Sequence, residues 1–217
     1  LKRAFVYQGL DLMESTVKIN VGEKRLGYGA IVSPEGWVLT ANHILFNRPS
    51  VFVQLQSGKK TNYPARIVAT HGTLDIALLQ FDPDVPIKAI SLGDEKKLKI
   101  GEWVISGGNE QGAIGIGMIG ALKREVPVNR RIPTLGLFGL LGSPNKSPVR
   151  AYDEVVQHDT RLEAGDFGTP LVNGQGECVG INVGHFFPSA SFAVPITPIR
   201  EALEEMKSGK SVPISAR

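Results

Sequence analysis

One histidine and one aspartate stand in sequence contexts that suit proton-transfer chemistry. His43 ends the segment Leu39-Thr40-Ala41-Asn42-His43, and Asp75 lies in Leu74-Asp75-Ile76-Ala77-Leu78-Leu79. An imidazole can take a proton from a hydroxyl nucleophile, and a neighbouring carboxylate fixes its tautomer and stabilises the charge that it gains. His43 and Asp75 could therefore be the base and the orienting acid of a Ser-His-Asp triad.

The segment that should supply the nucleophile lacks it. Glu163-Ala164-Gly165-Asp166-Phe167-Gly168-Thr169-Pro170 has the frame of a nucleophile loop, but a phenylalanine stands where a hydroxyl is expected. Phenylalanine has no group that attacks a carbonyl or that His43 can activate. Thr169 lies two residues further on, where the chain should already have entered the next strand, so we expect its hydroxyl to point elsewhere.

The composition is that of an ordinary globular chain large enough to bury a substantial core. It has 217 residues, of which 42% are apolar and 21% charged, and 24 Lys and Arg against 21 Asp and Glu give a net charge of +3. The densest basic cluster, Lys123-Arg124-Glu125 with Arg130-Arg131, is interrupted by acid and lacks interleaved aromatics. These features argue against nucleic-acid binding.

The single cysteine excludes an intramolecular disulfide, and it cannot build a zinc site alone. Cys178 lies in an alternating, strand-like segment, so we predict a buried thiol in the core. The sequence contains no run of about 18 apolar residues and no secretory leader. It begins at Leu1, and a missing signal or anchor therefore says little about the compartment.

Short β-prone runs punctuated by Gly, Pro and Asn predict an all-β fold, a sandwich or a barrel. Turns are predicted at Ser33-Pro34-Glu35-Gly36 and at Asn173-Gly174. Helical spacing predicts a helix over 199–207 and a weaker entry helix over 4–13. The Pro- and Gly-rich stretch 126–149 is predicted to be an enlarged loop whose apolar centre either packs on the body or offers a partner surface.

The ordered blocks resemble the protease domain of the HtrA/Deg family of chymotrypsin-fold serine proteases. The resemblance rests on 27–43, 74–79 and 160–181, followed by Ser191-Phe192-Ala193-Val194-Pro195. It implies two six-stranded antiparallel β-barrels with a C-terminal helix. The expected division is an N-terminal segment 1–15, a first barrel 16–98, a second barrel 99–196, and a helix and tail 197–217. The family's usual C-terminal PDZ domain is not among these residues.

The resemblance also assigns roles within this sequence. His43, Asp75 and Phe167 occupy the triad positions, Gly165 and Asp166 belong to the oxyanion loop, and Arg161 falls at the floor of the specificity pocket. The Phe167 ring is expected to fill space that a substrate carbonyl or side chain needs, and Thr169 to add crowding. Arg161 is either a surface residue of an altered loop or an inward-facing cation suited to an acidic group.

Two classes of function compete. The first is an inactive pseudoprotease that acts by binding, as a scaffold, a ligand-binding domain or a regulator of active homologues. Within it, magnetosome-associated HtrA-like proteins suggest a transition-metal site at His43 and His185, although no metal motif is present and His71 and His158 are scattered. The second is an active endopeptidase whose nucleophile is displaced to Ser189 or Ser191.

The resemblance also gives expectations about partners and compartment. It implies protein partners, including active HtrA-like homologues, and a homotrimer. It favours an extracytoplasmic location, periplasmic or membrane-associated, with any membrane tether outside the 217 residues. No cofactor is implied beyond the transition metal that the magnetosome-associated relatives suggest.

Overall fold

Twelve antiparallel β-strands form two closed barrels in the described part of the chain. The computed structural model describes residues 12–46, 48, 50–58, 61–109, 112–126, 151–186 and 190–213. The predicted loop 126–149 lies almost wholly outside these ranges, and so does most of the predicted entry helix. The described structure confirms the all-β, two-barrel fold with a C-terminal helix.

The first barrel has the strand order β1-β2-β3-β6-β5-β4. Its strands are β1 (Thr16–Val21), β2 (Lys24–Ser33), β3 (Trp37–Ala41), β4 (Val51–Leu55), β5 (Asn62–His71) and β6 (Ile76–Phe81). Alternation is clear in β4, where Val51, Val53 and Leu55 are buried while Phe52 is exposed. The strand period of two thus places one apolar face inside the barrel.

The second barrel has the order β10-β11-β12-β9-β8-β7. Its strands are β7 (Trp103–Asn109), β8 (Gly112–Val126), β9 (Tyr152–His158), β10 (Pro170–Val172), β11 (Cys178–Phe186) and β12 (Ala190–Pro195). Buried residues of both barrels, among them Leu39, Ile76, Ile181 and Phe167, share one apolar cluster. The candidate site lies along this junction.

The turn between β2 and β3 forms where the sequence predicts it. Gly36 has a φ of 84°, and its N–H donates to the carbonyl of Ser33 at 3.2 Å. A Cβ at this position would lie 2.0 Å from the carbonyl oxygen of Phe81. Gly36 is therefore required both by its left-handed backbone and by the close approach of β6.

The C-terminal helix α1 (Ile196–Lys207) begins three residues earlier than the sequence predicts. Pro198 lies inside its first turn, where a missing N–H does no harm, so the proline does not mark the boundary. The Glu95 carboxylate accepts a hydrogen bond from the Thr197 N–H at 2.9 Å and caps the helix start. Ile196, Ile199, Leu203 and Met206 form its buried face. In the described residues, no helix is long and apolar enough to span a membrane.

Cys178 is wholly buried at the start of β11, in agreement with its predicted core position. Burial raises the pKa of its thiol from 9.0 to about 12. Because the thiolate is the reactive form, we expect the native thiol to react with Ellman's reagent at least about 10³-fold more slowly than the urea-unfolded chain. Rapid labelling of the folded protein, monitored by the absorbance of the released dye, would contradict this placement.

Candidate functional site

His43 and Asp75 meet where the end of β3 lies beside the start of β6. Ala41 of β3 pairs with Ile76 of β6, so the residues that follow one strand and precede the other are neighbours. The His43 Nδ1 lies 2.7 Å from Asp75 Oδ2, and the His43 backbone N–H donates to Asp75 Oδ1 at 3.0 Å. The carboxylate thus fixes both the ring and the backbone of His43 in the arrangement that an imidazole base needs.

Asp75 is held in an uncommon backbone conformation. Its φ is 58°, its side chain is 1% exposed, and its carbonyl accepts the Asn42 N–H at 2.8 Å. Aspartate tolerates left-handed conformations better than most residues, and the bonds to Asn42 and His43 hold it there. The turn therefore directs the carboxylate at the histidine.

Tyr152 is a member of the site that the sequence analysis missed. Its hydroxyl donates to Asp75 Oδ2 at 2.8 Å and lies 3.4 Å from the Val183 carbonyl oxygen. Tyr152 begins β9 and is 77 residues from Asp75 in the chain. No local motif marks such a contact, since it exists only because the two barrels pack together. Tyr152 thereby links the second barrel to the His43–Asp75 pair.

Phe167 packs its ring directly on the imidazole of His43. The two ring centroids are 5.3 Å apart at an interplanar angle of 69°, an edge-to-face contact. The Phe167 ring also lies 5.5 Å from the His185 ring, and the residue is 8% exposed. His43 therefore faces a hydrocarbon ring where a triad would present a hydroxyl.

The backbone around Phe167 is bonded to both barrels. Its carbonyl accepts the N–H of Tyr28, from β2, at 2.9 Å, and the Gly168 N–H donates to the carbonyl of Asn182, from β11, at 2.7 Å. Gly168 has a φ of 88°, and a Cβ there would lie 2.0 Å from the Tyr28 carbonyl oxygen. These contacts fix the position of residue 167 whatever its side chain.

The predicted oxyanion loop forms a single 3₁₀ turn over Ala164–Asp166. The Asp166 N–H donates to the Glu163 carbonyl at 2.9 Å, and the Asp166 carboxylate accepts the Glu163 N–H at 2.9 Å. Gly165 lies beside Arg25, whose Nη2 would be 3.0 Å from a Cβ on that glycine. The Asp166 amide is thus already engaged within the turn.

Thr169 points away from His43, into a buried polar network beneath the loop. Its hydroxyl donates to the Asp166 carbonyl at 2.8 Å and accepts from Asn182 Nδ2 at 3.0 Å. Asn182 also donates to Ser106 Oγ at 3.2 Å, and its Oδ1 lies 2.9 Å from His158 Nε2. The Thr169 side chain therefore supports the loop from below, and the crowding expected of it in the cleft does not occur.

His158 is the buried titratable group of this network. It is wholly buried, and burial lowers its pKa from 6.5 to about 4 despite the opposing hydrogen bond to Asn182. Its Nδ1 has no hydrogen-bond partner. A second ring proton would therefore be a buried donor without an acceptor, which keeps the ring neutral at ordinary pH.

Arg161 is exposed at the surface, and it also lines a cavity of about 310 Å³ beside the loop. Residues 160–164 form one wall, and His185, Phe186, Ala190 and Ser191 complete it. Phe167 is not part of this lining. The ring was expected to fill space that a substrate carbonyl or side chain needs; it lies against His43 and is not part of the wall of this cavity.

The two predicted metal ligands do not fit a metal centre. His43 and His185 both pack on Phe167, and His43 Nδ1 is engaged by Asp75. Metal sites in proteins generally use three or more side-chain ligands. Among the described residues, no group of three or more His, Cys, Asp or Glu is arranged to hold a metal ion.

The barrels, the His43–Asp75 pair and the loop around Phe167 together define a chymotrypsin-fold domain. The model of the trypsin-like peptidase domain matches residues 27–181, and the chain belongs to that family. Within it, the chain is an HtrA/Deg-type domain, as the sequence resemblance predicts.

The similar curated proteins are DegP-like. "Probable periplasmic serine endoprotease DegP-like" of Pseudomonas putida strain F1 is 31% identical over 195 residues, which is 86% of this chain and 36% of that protein. The protein of the same description from Pseudomonas savastanoi pv. phaseolicola is also 31% identical, over 85% of this chain and 36% of its own length. The chain spans about a third of the length of these relatives.

Solved structures share the fold. Deg5 superposes with a TM-score of 0.76 at 20% identity, covering 97% of both chains. The HtrA-type protease AlgW with a decapeptide gives a TM-score of 0.74 at 19% identity, covering 96% of this chain and 69% of that one. At such identities the likeness concerns the fold alone.

Proposed function

We propose that this domain is a catalytically inactive HtrA-like pseudoprotease that acts by binding polypeptide. The observation that carries the proposal is the contact between Phe167 and His43, with ring centroids 5.3 Å apart. Acyl transfer by this fold needs a hydroxyl at that place, and removal of such a serine costs about 10⁶-fold in turnover in a comparable protease. Among the described residues, the retained pair of His43 and Asp75 faces the Phe167 ring and no nucleophile.

A displaced nucleophile is a weaker alternative. Ser191 is 2% exposed, and its hydroxyl donates to the Thr160 carbonyl at 2.7 Å. Thr169 is similarly engaged with Asp166. Ser189 lies outside the described residues. Among the described groups, the side-chain hydrogen-bond partner of the His43 ring is Asp75, and no hydroxyl is bonded to it.

The test is whether the protein binds unfolded protein without cutting it. We expect dye-labelled casein to show saturable binding by fluorescence polarisation and to stay intact on a gel after overnight incubation. His43→Ala should leave both results unchanged, because the imidazole has no catalytic task. Cleavage by the wild-type protein that disappears in His43→Ala would overturn the proposal.

Assembly and location belong to the same proposal. The names of the DegP-like relatives place those proteins in the periplasm, and we propose an extracytoplasmic location for this one. We further propose a homotrimer that can mix with active homologues. Sedimentation velocity at micromolar concentration should give a trimer, and a concentration-independent monomer would contradict this assembly.

A further inference from the structure

The cavity beside the loop adjoins the inactive centre through His185, but His43, Asp75 and Phe167 are not part of its lining. It has a volume of about 310 Å³ and is bounded by 160–164, the end of β11 and the start of β12. Ligand clefts in proteins begin at about this size. Because Phe167 is not part of its lining, the bulky ring of that residue does not fill the cavity. A group could therefore occupy it while the chain beside His43 is not cut.

An exposed arginine, Arg161, lies at the edge of the cavity. Arg161 makes no ion pair or hydrogen bond to any described residue. The acid on the same lining is Glu163, and it does not lie within ion-pair distance of Arg161. An arginine fork pairs well with a carboxylate, and here no described carboxylate of the protein satisfies it.

The remaining polar groups of the lining also leave hydrogen-bond donors without an acceptor. The His185 ring is held against Phe167, and its Nδ1 has no hydrogen-bond partner. The Ser191 hydroxyl is committed to the Thr160 carbonyl. The Thr160 hydroxyl on the same lining also has no hydrogen-bond partner. Thus the free polar groups among the described lining residues include Arg161, Thr160 and His185, each of which can donate to an anionic oxygen.

From this wall we infer that the cavity is a subsite for a peptide carboxylate, bound by Arg161 with help from His185. The inference rests on the proposed peptide binding and names the group that the site selects. The carboxylate comes either from a Glu or Asp side chain or from a free chain terminus. Their shared chemistry is a planar anion that matches the guanidinium fork.

The test uses rhodamine-labelled peptide amides of sequence Ala-Ala-Ala-X-Ala-Ala, with X as Glu, Gln or Lys. A fourth peptide of six alanines carries a free terminal carboxylate. We expect the Glu peptide to bind at least about 10-fold tighter than the Gln peptide by fluorescence polarisation. Tight binding of the fourth peptide alone would assign the subsite to a chain terminus.

Variants of Arg161 locate the effect. Arg161→Gln should abolish the difference between the Glu and Gln peptides, and Arg161→Glu should favour the Lys peptide. Arg124→Gln is the matched control, since it removes the same charge from an exposed position on β8. It should leave the preference unchanged. A preference that Arg124→Gln weakens as much as Arg161→Gln does would show a general charge effect and overturn the subsite.

Two further outcomes separate the inference from the proposed function. Equal affinity for all four peptides, the one with the free terminal carboxylate included, or no binding of any peptide at millimolar concentration, would overturn the subsite. Mass spectrometry of the incubated peptides tests the proposed function independently. Cut peptides would refute the inactive domain while leaving a measured preference for carboxylate in place.

Discussion

Replacing Phe167 by serine is expected to give the domain peptidase activity. The substitution puts a hydroxyl on the backbone position that the bonds to Tyr28 and Asn182 already fix, on the side of the imidazole that the phenyl ring now contacts. His43 is in turn bonded to Asp75 at 2.7 Å. We expect cleavage of dye-labelled casein to rise by at least about 10³-fold over the wild-type protein.

The same substitution weakens the core. Phe167 is 8% exposed and belongs to the apolar cluster between the barrels, so its truncation should cost about 3–5 kcal/mol in the free energy of unfolding. Phe167→Ala is the matched control, because it leaves a similar cavity without a hydroxyl. Urea unfolding of both variants establishes that they are folded under the assay conditions.

The gain should depend on the histidine. Phe167→Ser with His43→Ala should be as inactive as Phe167→Ala, and only the variant with both His43 and the hydroxyl should react with a fluorophosphonate probe. A folded Phe167→Ser variant that neither cuts casein nor takes up the probe would contradict the proposal that the missing hydroxyl alone disables the site.

Acid should destabilise the domain through His158. Its pKa is about 4 in the folded chain and near 6.5 when exposed, so between these values the unfolded chain binds more protons. Stability is therefore complete above about pH 6.5 and falls as the pH drops towards 4. The shift corresponds to a loss on the order of 3 kcal/mol.

Urea unfolding at pH 7.5 and pH 4.5 measures this loss. His158→Gln keeps a donor for Asn182 but cannot take up a proton, so it should lower stability at pH 7.5 and lose clearly less on acidification. The comparison variant is His71→Gln. Burial lowers the pKa of His71 too, but the residue is only partly buried, and its removal should change the pH dependence less. An unchanged acid loss in His158→Gln would refute this assignment.

Local sequence patterns predict the strands and turns well because their causes are local. The hairpin at Asn173-Gly174 forms where it is predicted, between β10 and β11. The left-handed residue of this hairpin is Gly176, with a φ of 81°, and Asn173 Oδ1 accepts the N–H groups of Gln175 and Glu177. The sequence pattern thus predicts where the turn lies, and the side-chain hydrogen bonds of Asn173 determine its conformation.

The candidate site divides in the same way. The motifs around His43 and Asp75 could be read from short segments, because each residue adjoins its own strand. The Tyr152 hydroxyl and the bonds of Asn182 to Thr169 and His158 could not, since they join residues brought together only by barrel closure. The direction of the Phe167 ring could not be read from the sequence either, because its ring neighbours, His43 and His185, are distant along the chain.

The bonds of the Phe167 segment give the loop a mechanical role. Its backbone accepts from Tyr28 in one barrel and donates to Asn182 in the other, so this single turn fastens the two halves of the domain. These hydrogen bonds are formed by main-chain atoms and need the left-handed backbone of Gly168. They do not depend on which side chain residue 167 carries. The side chain at that position can therefore pack in the apolar cluster between the barrels, as Phe167 does. A loop with the frame of a nucleophile loop can thus serve to hold the two barrels together.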